Sequence, residues 1–429
     1  MKDPISTNDM FFWITISFAV AAPLLLLLQN FLSWKKKTNS RRLAPGPPGW
    51  PLIGNLLDLG CNYKALHKKL VQLQKIYGPV LMIRMRAMNM LVIASADAAT
   101  ELFKSHDQAF LNRHPVQALQ TSIGDYATPW AAPYGPIWRM HRRLYATLFS
   151  RRTMMNTLGK RKQFVDQTKQ WILVDEKEGR SVEIKHLTMV AFSNLLGNLF
   201  FSKDVMDLKS ATENELYQLL RGIGALTTKP NLADLFPWLR NLDPQNLANR
   251  MKKAIHACQN IVDGFAKERR STRNNNDEKD YWDLLMDFEG SGKDEPKKLS
   301  DRQNSWFITE TFICGVDTVT TPIEWVMTEV MRNPEVMRKA KYEIAEVVGY
   351  NRMIEGSDIE SLPYLGAVIK ETLRLHPTGP VLIPRTTVED TEFMGYIIPK
   401  DTEFWLTFGV LEGIQIHGMI HSRSIQNVS

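Results

Sequence analysis

The sequence predicts a mainly α-helical body with one small β-sheet region, held to a membrane by an N-terminal helix. Three observations predict it. Helical periodicity runs from Ile137 to about Arg270 and returns from about Asp301 to Arg332. Only two early runs, Val80 to Arg84 and Met90 to Ala94, have the Met-, Val- and Ile-rich character of strands. Met10 to Trp34 contains no charged residue.

Bulk composition sets the outer limits. A chain of 429 residues with 44% hydrophobic content can bury one large core. The net charge is +7. Its basic residues flank the apolar N-terminal run, so the balance points to a membrane surface or an acidic protein partner rather than nucleic acid. Cys61, Cys258 and Cys314 lie far apart, which excludes a disulfide framework and fits a body facing the cytosol.

Residues 1–34 read as a membrane anchor. The densest part, Phe11 to Leu28, includes five consecutive leucines from Leu24. Lys35, Lys36, Lys37, Arg41 and Arg42 follow at once, while only Lys2 is basic on the other side, so the positive-inside rule leaves the body in the cytosol. A cleaved signal peptide is the rival reading. The apolar run is long for that, the start is poorly charged and no clear small-residue cleavage site follows. Residues 35–55 form a basic, proline-rich hinge, because Pro45, Pro47, Pro48 and Pro51 remove amide donors and fix the backbone.

The body, residues 56–403, then reads in order. Leu66 to Tyr77 is a helix, the two strands follow, and Ser95 caps a helix through Ser105. Pro115 to Pro136 is loop-like. The helical stretch after it breaks at Lys229-Pro230 and Phe236-Pro237-Trp238. The long helix from Asp301 ends at Asn333-Pro334, with further helices near Glu335 to Val348 and Leu365 to Leu375. Pro384 to Ile398 turns extended.

Three constellations carry chemistry. Phe312-Ile313-Cys314-Gly315-Val316-Asp317-Thr318 lies inside the long helix, where glycine weakens the helix and a threonine can bond back to a carbonyl. A locally opened helix there would let Asp317 and Thr318 relay protons; alone, the segment reads more readily as a kinked core helix. Glu371 and Arg374 share a helix face among Leu365, Val368, Ile369, Leu373 and Leu375, which argues for a buried pair over a surface one. Trp138 and Arg142 are four apart on a helix that also carries Arg139, His141 and Arg143, which by itself reads as a basic surface.

Together, Glu371-Thr372-Leu373-Arg374 followed by Leu375-His376-Pro377 and Pro384-Arg385, with Gly315 to Thr318, Trp138 and Arg142 upstream, resemble the cytochrome P-450 family. The details look like its plant microsomal type, near terpenoid and phenylpropanoid hydroxylases. The resemblance implies a haem b cofactor held by a cysteine thiolate in a late loop. It also implies hydroxylation of a hydrophobic small plant metabolite with O2, and electrons from an NADPH-cytochrome P-450 reductase at the endoplasmic-reticulum membrane. It gives Asp317 and Thr318 the proton delivery, Trp138, Arg142 and Arg385 the haem propionates, and Glu371 with Arg374 a structural lock. The remaining basic residues of the Trp138 helix would face the acidic reductase. Val319 and Cys314 depart from the usual residues and leave the acid and alcohol in place. Pro115 to Pro136, Asn231 to Leu239 and Val381 to Ile383 match substrate-contacting regions, and Phe236, Trp238 and Leu239 read equally as a membrane-surface patch.

The resemblance stops after Glu403, and residues 404–429 show neither strand alternation nor helical period. With one nucleotide added before Phe404, the shifted triplets can spell the family's usual continuation through its P-E-R-F motif. Met419 followed by Ile420 then forces an aspartate, and Phe404 with Trp405 forces a leucine. The tail is therefore expected to be out of frame and the cysteine loop missing from this polypeptide. Cys314 would lie on the opposite face of the haem, and Cys61 and Cys258 outside the site. The expectation is a chain that cannot perform the family's reaction, or a non-catalytic isoform that binds the reductase or a full-length partner.

Overall fold

The computed structural model describes residues 43–407, apart from 51–52, 60–65, 86–87, 114–117, 120–131, 209–213, 228, 274–278, 293 and 353. The expected anchor and residues 35–42 and 51–52 of the hinge lie outside the described residues. Among the described residues, no helix is long and apolar enough to cross a membrane.

The chain opens with α1 (Leu56–Leu59) and α2 (Leu66–Tyr77), then the hairpin of β1 (Val80–Met85) and β2 (Met88–Ile93). Helix α3 (Ala96–Ser105) starts where expected, with the Ser95 side chain accepting from the Ala98 amide. The helical stretch resolves into α4 (Pro136–Leu148), α5 (Arg151–Asn156), α6 (Leu158–Lys177), α7 (Ile184–Phe201), α8 (Glu215–Thr227), α9 (Leu232–Leu235) and α10 (Leu247–Thr272). After α11 (Tyr281–Asp287) comes the long helix α12 (Asp301–Arg332), opened by a reciprocal cap between Ser300 and Gln303. Pro334 begins α13 (Pro334–Val348) and Pro363 begins α14 (Pro363–Leu375), each at a first-turn position that needs no amide donor. Four short strands finish the description: β3 (Arg385–Thr386), β4 (Thr391–Phe393), β5 (Tyr396–Ile398) and β6 (Glu403–Leu406).

One sheet runs in the order β1-β2-β6-β3, and β4 pairs with β5 separately. Strand β6 enters parallel to β2, with Leu91 opposite Phe404 and Val92 opposite Trp405. Just past β6, the Thr407 amide bonds the Ile93 carbonyl.

This strand corrects the expectation that nothing regular follows Glu403. Phe404 and Leu406 pack on one face with Leu91, Ile93 and Phe110. Trp405 packs on the other with Leu66, Leu70 and Val92. Both faces are covered, so after Glu403 the strand carries only apolar residues and shows no polar alternation to read. Residues 408–429 lie outside the described residues.

The largest core sits among α4, α7, α8, α10, α11 and α12, centred on Phe200, Phe307 and Phe312. Gly197 marks its tightest approach: a Cβ there would stand 2.6 Å from Val205 and 2.7 Å from the Lys203 carbonyl.

Candidate functional site

Helix α12 brings the acid and alcohol to one turn. It runs without interruption through Gly315 to Thr318, so the locally opened helix is not present. The back-bond is: the Thr318 hydroxyl donates to the Cys314 carbonyl at 2.6 Å. Asp317 is half-buried and its carboxylate lies against α8, where a Cβ on Gly224 would stand 3.0 Å from it. Burial pushes the Asp317 carboxyl up, opposed by the positive charges of Lys185 and Arg221. A carboxyl shifted in that direction holds a proton closer to neutral pH, which suits a proton-handling group.

Helix α4 places Trp138 and Arg142 on one face, as their spacing requires. Trp138 is half-buried, with its ring tilted against Tyr134 at 5.3 Å, and Arg142 is exposed. Arg143, expected to face a partner, is engaged within the chain instead: it pairs with Glu295 at 2.6 Å and lies over the Phe288 ring. That pairing holds the Glu295 carboxyl down at about 2.

Arg385 reaches toward the sheet side of the fold. Its Nη1 lies 2.9 Å from Asp107, and its guanidinium lies over Phe103. Beside it stands an arginine that sequence reasoning missed. Arg113 donates to the carbonyls of Ile383 at 2.6 Å and Pro384 at 2.9 Å. Burial, and then the neighbouring Arg385 charge, bring Arg113 down to about 10. The only sequence signal was a lone arginine at the mouth of the loop before Pro115.

Glu371 and Arg374 meet as expected, through two hydrogen bonds of 2.7 and 2.8 Å. Their burial is corrected: the side chains keep 27% and 39% exposure. The apolar neighbours that argued for burial are themselves uncovered, with Ile369, Leu373 and Leu375 all exposed.

Phe236 and Trp238 separate where their sequence context did not. Phe236 packs against the core beneath the sheet, beside Trp405 and Val381, whereas Trp238 is exposed. Most of Pro115 to Pro136 lies outside the described residues, and Ala118 and Leu119 join the helical core.

A haem makes two separable demands. Its carboxylate ends suit guanidinium groups, which Arg142, Arg113 and Arg385 offer. Its iron needs a thiolate. Cys258 is buried in the apolar core of α10, and burial pushes its thiol up to about 12. Cys314 is pushed up to about 12 by burial and by the Glu310 charge. Both are held as thiols, and Cys61 lies outside the described residues. The described residues fit the propionate ends and not the iron.

Comparison with known proteins completes the picture. The model of the Cytochrome P450 family matches residues 44–411. The chain is 38% identical to an iridoid oxidase of Catharanthus roseus over 91% of its own length and 77% of that protein's. It is 35% identical to an inactive cytochrome P450 76AD1 of Beta vulgaris over 88% of its own length and 91% of that protein's. A zebra fish cytochrome P450 solved with progesterone superposes with a TM-score of 0.69 at 22% identity, covering 82% of this chain and 81% of that one. A helix-rich body with one small sheet, an acid–alcohol turn in its longest helix and a family match over nearly all the described residues place the chain in the cytochrome P450 family, whose cofactor is haem.

Proposed function

We propose that this fold serves oxygenation of a hydrophobic, terpenoid-like plant metabolite, and that the chain with its present cysteines does not itself carry the reaction through. The observation that supports the chemistry is the Asp317–Thr318 turn, where a half-buried carboxyl adjoins a back-bonded hydroxyl. Asp317 and Thr318 hold and pass protons. Trp138, Arg142 and Arg385 hold the haem propionates. Glu371 and Arg374 brace the core. The body faces the cytosol at the endoplasmic-reticulum membrane, held by residues 1–34, and takes electrons from an NADPH-dependent reductase.

Inactivity is supported by the thiols of buried Cys258 and half-buried Cys314, both pushed up to about 12 by loss of solvent. A relative of nearly the same span is itself named inactive, which supports the reading. The reduced carbon-monoxide difference spectrum of the purified chain tests it: no thiolate-type band is expected, and such a band would overturn the proposal. Transcript sequencing across codons 403 and 404 tests the shifted frame. An intact frame encoding a late cysteine would refute it.

The second reading is a non-catalytic isoform that occupies the reductase. It is favoured by Arg139 and Arg142, which stand exposed on α4. Co-purification with the reductase, lost on Arg139→Glu with Arg142→Glu, is the expected result; rapid degradation without any complex would sink it.

A further inference from the structure

Two helices carry Trp138, Arg142, Asp317 and Thr318, and they meet at a hydrogen bond. On α4, Trp138, Arg142 and Tyr145 recur at helical spacing and form one stripe. On α12, Thr311, Cys314, Gly315 and Thr318 form another. The Tyr145 hydroxyl lies 2.9 Å from the Thr311 hydroxyl, so the stripes join one turn beyond Arg142 and one turn before Gly315.

The direction of that bond follows from counting protons. Thr311 has a single hydroxyl hydrogen and donates it to the Phe307 carbonyl at 2.8 Å. Thr311 can therefore only accept from Tyr145, and Tyr145 must be the donor. Burial pushes the Tyr145 phenol well up, and the Glu310 charge adds to the shift, so the donor proton is retained. Around the bond, the Tyr145 ring lies 4.3 Å from Phe307 and the His141 ring 5.9 Å from the same phenylalanine. Ring contacts of that kind tolerate sliding; a directional hydrogen bond between two helices does not.

The turn downstream needs an anchor. Gly315 weakens the helix, and the Thr318 hydroxyl draws on the Cys314 carbonyl. Its position relative to α4 then depends on where α12 is fixed upstream.

We propose that Tyr145 is a positioning residue for the Asp317–Thr318 turn: by donating to Thr311, it ties the helix bearing Trp138 and Arg142 to the helix bearing the acid–alcohol pair. This rests on the functional reading above.

The test is amide hydrogen exchange on the full chain in detergent micelles, which requires neither haem nor turnover. Tyr145→Phe and Thr311→Val should each speed exchange at Gly315 to Thr318 about five- to tenfold, with Trp306 to Ile308 unchanged. Thr311→Ser keeps the hydroxyl and should exchange like the unmodified chain. Equal behaviour of Thr311→Ser and Thr311→Val would overturn the proposal. So would acceleration spread evenly along α12, the mark of a merely structural loss. The carbon-monoxide spectrum decides the functional reading separately, whatever the exchange result.

Discussion

The two halves of α12 are packed on different terms. From Asn304 to Phe312 every residue is buried, whichever way its side chain points. After Phe312 only Val316 and Thr320 are buried, and Val319, Trp325, Met327 and Met331 are exposed. The first half threads a core completed by α4, α7, α10 and α11. The second half is held chiefly by specific contacts. His376, at the end of α14, stacks on Trp325 at 3.7 Å and reaches Glu329 at 3.0 Å. One helix therefore serves as a core element at its start and as a scaffold for polar and apolar surface at its end. The acid–alcohol turn sits at the transition.

The largest expected effect lies in the first half. Phe307→Ala removes a fully buried ring that contacts Tyr145 and His141, and should cost about 3–5 kcal/mol in chemical denaturation. A loss below 1 kcal/mol would break the contrast. On the uncovered side, Arg374→Ala deletes a partly exposed pair and should cost under about 1 kcal/mol by the same measurement. A larger loss would mean that the pair bears more of the fold than its exposure suggests. Met331→Lys, on a side chain 66% exposed, should shift stability by less than about 0.5 kcal/mol. A further test is a titration. Glu295 is held from an ordinary 4.5 down to about 2 by Arg143, so its contribution is present above 4.5 and fades as pH falls through about 2. The stability difference between the unmodified chain and Arg143→Ala should shrink across that window; a constant difference would assign the Arg143 effect to packing against Phe288.

What the sequence made legible follows the same division. The Ser95 cap, the Asn333-Pro334 stop and the two early strands are local, and each sits where the residues alone place it. Strand β6 was hidden because burial on both faces leaves no period to detect. Arg113 was hidden because its partners, Ile383 and Pro384, come from a distant stretch of chain. The burial of Glu371 and Arg374 was misjudged because local apolar neighbours do not say whether anything covers them. Adjacency in the site was readable: Asp317 with Thr318, Trp138 with Arg142. The directions in which Asp317 and Arg385 point were not, because Gly224 and Asp107 decide them from elsewhere.

The parallel seating of β6 beside β2 has a consequence for biosynthesis. Ile93 and its bonding partner Thr407 are 314 positions apart, so the hairpin of β1 and β2 leaves the ribosome long before the strand that completes its sheet. At roughly 5–20 residues per second, that interval lasts on the order of tens of seconds. Throughout it, β2 presents an unsatisfied edge with apolar side chains on both faces, the form most prone to pair with the wrong strand. Nascent chains of this protein should therefore depend on chaperones from their first hundred or so residues until β6 emerges.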